Sequence, residues 1–375
     1  MMWRMAASPA ADATSPSSQS APPRPPTDAG PGDPLLDGSG QPAPHAEAHV
    51  FRDGKVRHLP LDLNLARGLL DDPQAFVWFD LVNPDPADLE ALREPFDLHP
   101  LAIEDALVGG QRVKVEPYDT FWFVVLHGAS LPSQDRLQLH EMALFIGQRF
   151  VLTIQHQPLF ADEEIVERWQ LVPAAWRSSA SSLTYVILDT IVDNLRELTD
   201  QIERELREVR TTMTRSQVVH PELLQRIFSL EEVTHEAYTV ALSLRDTLPT
   251  FVHAPEEAPV GGPAQAPYYR DVHDHAIGVV ERLGAERDLS QRVFDVYQSL
   301  AAQQQSEVAR QLTVVSTIFL PLTFLTGFFG QNFEYLTQKI ASERAFWVWG
   351  FGSYLLSLLA IAWVIRRVSR WGRDG

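Results

Sequence analysis

The 375-residue chain has no cysteine, so thiolate metal sites, disulfides and thiol catalysis are excluded. Basic charge is also scarce. Against 49 Asp and Glu stand 31 Lys and Arg, a formal net charge of -18, which argues against nucleic acid as a partner because no basic surface would neutralise phosphates. An acid surplus suits attraction of cations and suits plain solubility equally well. Residues 1–44 lack the apolar core of a secretory signal. Three catalytic signatures are missing as well: a Gly-rich loop ending in Gly-Lys-Ser/Thr, His-Glu-x-x-His and Gly-x-Ser-x-Gly. Neither an enzyme nor hydrolysis-driven transport is expected.

What is present falls into distinct stretches. Residues 1–44 are rich in Ala, Pro, Ser, Gly and Asp and read as a disordered tail, too poor in apolar area to order itself. Residues 45–175 mix strand and helix patterns and indicate an α/β domain. A hairpin is expected over 49–59 around Asp53-Gly54, strands over 75–82 and 121–127, and a second hairpin over 137–155 turning at Gly147-Gln148. Helical pieces are expected at about 86–107 and 159–170.

Residues 176–266 form an antiparallel helical pair and a linker. Leu183, Ile187, Ile191, Leu195, Leu198, Ile202 and Leu206 recur at steps of three or four, and a second pattern starts after Pro221. Residues 249–267, with five prolines and adjacent glycines, read as a connection. From about Tyr268 a third helical pattern runs on without interruption as a stalk over 267–310 into an apolar stretch at 311–330.

That stretch is long enough to cross a membrane. The 23 uncharged positions between Arg310 and Glu334 would make a helix about 34 Å long. Small and hydroxyl residues, interrupted by Leu320, recur along one face: Ser306, Ala309, Thr313, Ser316, Thr323 and Gly327. Such a stripe can pack helices or line water. A loop over 331–344 separates it from a second span at 345–366, uncharged from Ala345 to Ile365 with Trp347, Trp349 and Trp363 near its ends. The tail at 367–375 is basic, so by the positive-inside rule both termini are expected in the cytoplasm, with two crossings of the plasma (bacterial inner) membrane.

Three blocks carry a resemblance to the CorA-type divalent-cation channels. Thr317–Tyr335 (TIFLPLTFLTGFFGQNFEY) is similar to that family's first membrane helix and Gly-Met-Asn signature, here Gly330-Gln331-Asn332. His99–Glu116 (HPLAIEDALVGGQRVKVE) and Pro267–His275 (PYYRDVHDH) resemble two stretches of its soluble part. The resemblance implies an α+β membrane protein: a homopentamer in lipid, with a cytoplasmic α/β domain and a stalk helix continuous with a pore-lining first span.

The same resemblance assigns roles. Asn332 would form a ring of amides at the outer mouth, able to bind magnesium with its waters in place. Gly330 would let the chain turn at the helix end. Below them Gly327, Thr323, Leu320, Ser316, Thr313 and Ser306 would line the pore, and rings of Leu320 and Leu312 would dewet and close it. Ser306 and Ala309 stand where the family has asparagine and methionine, which alters the inner ring and gate. Asp105 and Asp271, with Glu104 as a further ligand, would hold a regulatory magnesium between protomers. Arg366 and Arg367 would form a basic collar at the inner end. His273 and His275 read as solvated.

The leading expectation is uptake of a divalent cation, magnesium as both cargo and regulator, with cobalt or zinc as the other candidate ions. A ZntB-like, proton-coupled zinc transporter is the alternative within the family. A non-conducting membrane-anchored sensor or scaffold is the alternative of another class.

Overall fold

The computed structural model describes residues 45–52, 55–60, 68–70, 72, 75–133, 136–216, 221–331, 334, 338 and 342–371. The tail expected over 1–44 lies outside them. Seven strands form one sheet: β1 (His45–Arg52), β2 (Lys55–Pro60), β3 (Phe76–Val82), β4 (Lys114–Pro117), β5 (Phe121–Ser133), β6 (Arg136–Gly147) and β7 (Phe150–Gln155). Their order is β2-β1-β3-β7-β6-β5-β4, antiparallel except for the parallel pair β3 and β7. Both expected hairpins form. Arg52 lies opposite Lys55, and Gly147 and Phe150 flank the second turn.

The central strands are buried on both faces, because helices cover both sides. Val77, Phe79 and Leu81 pack under α1 (Pro86–Phe96) and α2 (Pro100–Val108), whose Leu89, Leu92, Phe96 and Ile103 fill that layer. Phe76, Trp78 and Val124 face the other way, toward α3 (Asp162–Leu171) and α4 (Ala180–Ser216).

The helical stretch expected over 86–107 is therefore two helices. Asp97 takes a left-handed conformation (φ 52°) after Pro95, and Pro100 opens α2 at its first turn, where a missing N–H costs nothing. His99 caps α2, its Nδ1 accepting from the Leu101 N–H at 3.3 Å.

After the sheet the chain is helical. α4 and α5 (Pro221–Thr247) lie antiparallel, with Arg226 of α5 bound to Glu205 and, at 3.1 Å, to Glu208 near the end of α4. The expected connection after them contains one helical turn, Pro249–Val252. Then α6 (Ala266–Phe329) runs for 64 residues, about 96 Å at helical rise. Its first half packs on α4 and α5, where Arg282 bonds Asp200 at 2.5 Å and Glu203 at 3.1 Å. A turn of π-helix at Phe346–Phe351 leads into α7 (Gly352–Trp371). The end of α6 and the segment Glu343–Trp363 are both long and apolar enough to cross a membrane.

Candidate functional site

Two regions carry the chemistry. The first is the C-terminal half of α6. Ile318, Leu322, Leu325 and Phe329 are half-buried there, the side of α6 that meets α7. At about 100° per residue those four share one face, and Ser316, Leu320, Thr323 and Gly327 lie on the opposite one. All four of the latter are exposed in the single chain. The second candidate span therefore packs on the back of the polar stripe and leaves the stripe free. Leu312, Thr313, Ser316, Thr317, Leu320 and Pro321 outline a groove of about 510 Å³ along it.

The hydroxyls of this stripe are oriented. Thr313 donates to the Ala309 carbonyl and Thr323 to the Phe319 carbonyl, each at 2.8 Å. With the proton turned back into the helix, the oxygen lone pairs point outward as acceptors. The waters of a hydrated cation present hydrogens outward, which is the complementary polarity.

At the end of α6 the structure corrects one expectation. Gly330 is right-handed (φ -78°, ψ -6°), so it does not turn the chain through a glycine-only conformation. A Cβ there would stand a tight 3.0 Å from the Thr326 carbonyl oxygen, which accepts from the Gly330 N–H at 2.9 Å. Gln331 follows, its N–H donating to Phe328 O at 3.3 Å. Asn332 lies outside the described residues. At the other end Ser306 and Ala309 are exposed on α6 beside a Glu307–Arg310 ion pair of 2.7 Å. Arg366 is exposed on α7, and the Arg367 side chain lies outside the described residues.

The second region is acidic. Asp271, Asp274 and His275 are exposed on the first turns of α6, with His273 half-buried. Asp271 acts on two groups of α4. Burial first, then Asp189 and Asp271, push the Tyr185 hydroxyl up to about 12. Burial and the neighbouring Asp193 carboxylate hold Asp189 above the usual carboxylate range, opposed by Arg168 and His275. Arg168 of α3 partly offsets the charge, 2.8 Å from Asp193 and 3.7 Å from Asp189. Asp189 and Asp193 were not singled out from sequence. Their spacing of four on one helix was visible, but so are many solvated acidic pairs.

Asp105 is elsewhere, half-buried on α2 and bound by Lys114 Nζ at 2.6 Å. Within the chain, among the described residues, it pairs with Lys114 and not with Asp271. Glu104 beside it is exposed. The outer face of α2 also presents Leu101, 60% exposed, and Val108, 73% exposed, in line with Asp105 at helical spacing. An apolar face carrying a carboxylate is a docking surface in form.

The comparisons with known proteins agree with this architecture. A family model described as CorA-like Mg2+ transporter protein matches residues 73–367. The cobalt/magnesium transport protein CorA of Thermotoga maritima is 28% identical over 294 residues, 78% of this chain and 81% of that one. In fold, the complete structure of the CorA magnesium transporter from Methanocaldococcus jannaschii superposes with a TM-score of 0.69 at 18% identity, covering 86% of this chain and 98% of that one. The ZntB cytoplasmic domain of Vibrio parahaemolyticus covers 68% of this chain and 98% of its own, with a TM-score of 0.52 at 13% identity.

Proposed function

The chain belongs to the CorA-like Mg2+ transporter family, and from that premise we propose that it conducts a divalent cation, magnesium first, into the cell through a pore lined by the polar face of α6. The observation that carries this reading is the placement of Ser316, Leu320, Thr323 and Gly327 opposite the face packed on α7. A helix serving only as an anchor has no use for outward-facing acceptors on its unpacked side. Five copies around one axis would bring those faces together, with Asn332 at the outer mouth and Leu312 and Leu320 as apolar rings that close by dewetting. The soluble domain and both termini lie on the cytoplasmic side of the inner membrane. Arg366 and Arg367 then stand at the inner end of the second span.

Regulation follows from the acidic region. Asp271 stands near Asp189 and Asp193, and burial first, then Asp193 and last Asp271, raise the Asp189 carboxyl. A divalent ion offsets their negative charge and recruits Asp105 and Glu104 from the exposed face of a neighbouring α2. All-carboxylate donors suit a hard cation such as magnesium. High cytoplasmic magnesium then holds neighbouring chains together and the pore shut; low magnesium releases them.

Flux into reconstituted vesicles tests this, with magnesium, cobalt and zinc offered separately and with or without a proton gradient. Magnesium uptake is expected in the wild type, lost in Asn332→Ala, and less inhibited by internal magnesium in Asp271→Ala. Zinc uptake that requires the proton gradient, without magnesium flux, would establish the ZntB-like alternative instead. Absence of flux for every ion would leave a membrane-anchored sensor or scaffold.

A further inference from the structure

One end of the sheet face under α3 is polar, although the rest of that face is packed with Phe51, Phe76 and Trp169. The strand register assembles it. His49 of β1 lies opposite His58 of β2 on one side and opposite Trp78 of β3 on the other; Glu47 lies opposite Asp80. Residues two apart on a strand share a face, so all five project to the same side. Asp162, in the first turn of α3, joins them from above, its Oδ2 3.1 Å from His49 Nε2.

The donor atoms converge. Those of Glu47, His49 and His58 lie within 4.8 Å of one another. His58 Nε2 is 3.2 Å from Glu47 Oε1, and His49 Nε2 is 3.9 Å from Glu47 Oε2. Behind them Asp80 is fully buried and faces Asp162. Its Oδ1 accepts from Thr153 and Gln155, and its carboxyl also meets that of Asp162 within hydrogen-bonding reach.

We propose that Glu47, His49 and His58 bind one transition-metal cation of the zinc class, with water in the fourth position and Asp162 beside His49. Two imidazole nitrogens and one carboxylate oxygen, with water in the fourth position, form a known four-coordinate zinc set. Imidazole also selects against magnesium, which prefers six oxygens and keeps several as water. Entry is open from the sheet edge, because the His58 side chain is 54% exposed on β2. None of these donors belongs to the stripe on α6 or to the acidic region around Asp271. The site therefore stands whether or not the chain conducts magnesium.

The test uses the full chain in detergent with magnesium in excess, so that hard-cation sites are saturated, and titrates zinc by calorimetry. Cobalt replaces zinc in a parallel titration read by visible absorption. One zinc per chain is expected to bind despite the magnesium, and cobalt is expected to give the strong bands of a four-coordinate site with nitrogen donors. His58→Ala, an exposed edge-strand change, should weaken zinc about 100-fold or more, and Glu47→Gln should weaken it in the same direction. Asp271→Ala should bind zinc as the wild type does. Equal zinc binding by wild type and His58→Ala would overturn the proposal. So would displacement of zinc by magnesium, or loss of zinc in Asp271→Ala with retention in His58→Ala.

Discussion

Lys114 Nζ sits 2.6 Å from Asp105 Oδ2 and 3.0 Å from Glu116 Oε1, so the carboxylate proposed to meet a neighbour's acidic region already has a cation within its own chain. The lysine side chain is mostly buried, which holds it in place. A magnesium ion reaching Asp105 must compete with it. Lys114→Met should therefore make internal magnesium inhibit flux at about fivefold lower concentration, the equivalent of roughly 1 kcal/mol for a partly exposed pair. Flux from vesicles preloaded with graded magnesium measures this. Weaker inhibition in the variant would show that the lysine positions Asp105 and does not compete for it.

The two candidate spans are tied by a hydroxyl pair. Thr326 Oγ1 and Tyr354 Oη are 2.7 Å apart, and Thr326 donates to the Leu322 carbonyl, so the tyrosine donates to the threonine. Tyr354→Phe and Thr326→Val should each lower the unfolding midpoint in detergent and couple by about 0.6 kcal/mol in a double-mutant cycle. Additive effects would mean that the bond is absent in the assembled protein.

Gly261 and Gly278 should respond oppositely to alanine. Gly261 has φ +82°, and a Cβ there would stand 2.6 Å from the Phe251 carbonyl oxygen, in the connection that leads into α6. Its N–H also donates to Ser181 Oγ at 3.1 Å. Gly261→Ala should cost about 1–3 kcal/mol from the strained conformation alone. Gly278, inside α6, has nothing within 4 Å of a new Cβ, so Gly278→Ala should be neutral or stabilise by about 0.5–1 kcal/mol. Thermal unfolding of both variants decides it.

His140 gives the sheet a pH dependence. Its Nδ1 donates to the Gln157 carbonyl at 3.1 Å, and its Nε2 accepts from Ser130 Oγ at 2.7 Å, the arrangement of a neutral ring. Burial holds the imidazole below its usual value, only partly opposed by the carbonyls of Gln157 and Pro158. Between the folded value and about 6.5, the unfolded chain binds the extra proton, so stability rises with pH there. The contribution is complete above about pH 6.5 and is lost as pH falls toward the folded value. Wild type should lose more of its unfolding midpoint than His140→Gln between about pH 7.5 and 5.5. Parallel losses would refute the assignment.

The long helices were legible in sequence because the apolar period of α4 persists from Leu183 to Leu206, and no competing pattern fits it. The hairpins were legible from their turn residues. Strand β4 was not, since four residues carry too little pattern, and the break at Asp97 was hidden because periodicity reads across it although Pro95 and Pro100 were in view. For the candidate site, the stripe on α6 was readable from spacing, but which side α7 covers was not. Asp189, Asp193 and the group around His49 gain meaning only from tertiary neighbours: the first pair through Asp271, the second through strand register. Local sequence cannot encode either relation.

The unbroken run of α6 has a mechanical consequence. From Ala266 to Ser306 it is a rod about 60 Å long, so a tilt of about 2° at the acidic base displaces Ser306 by about 2 Å, on the scale of a water molecule's radius. Pro321 cannot donate to the Thr317 carbonyl, so the segment beyond it can bend while the rod below stays stiff. Small angular changes at the base are amplified along this rod.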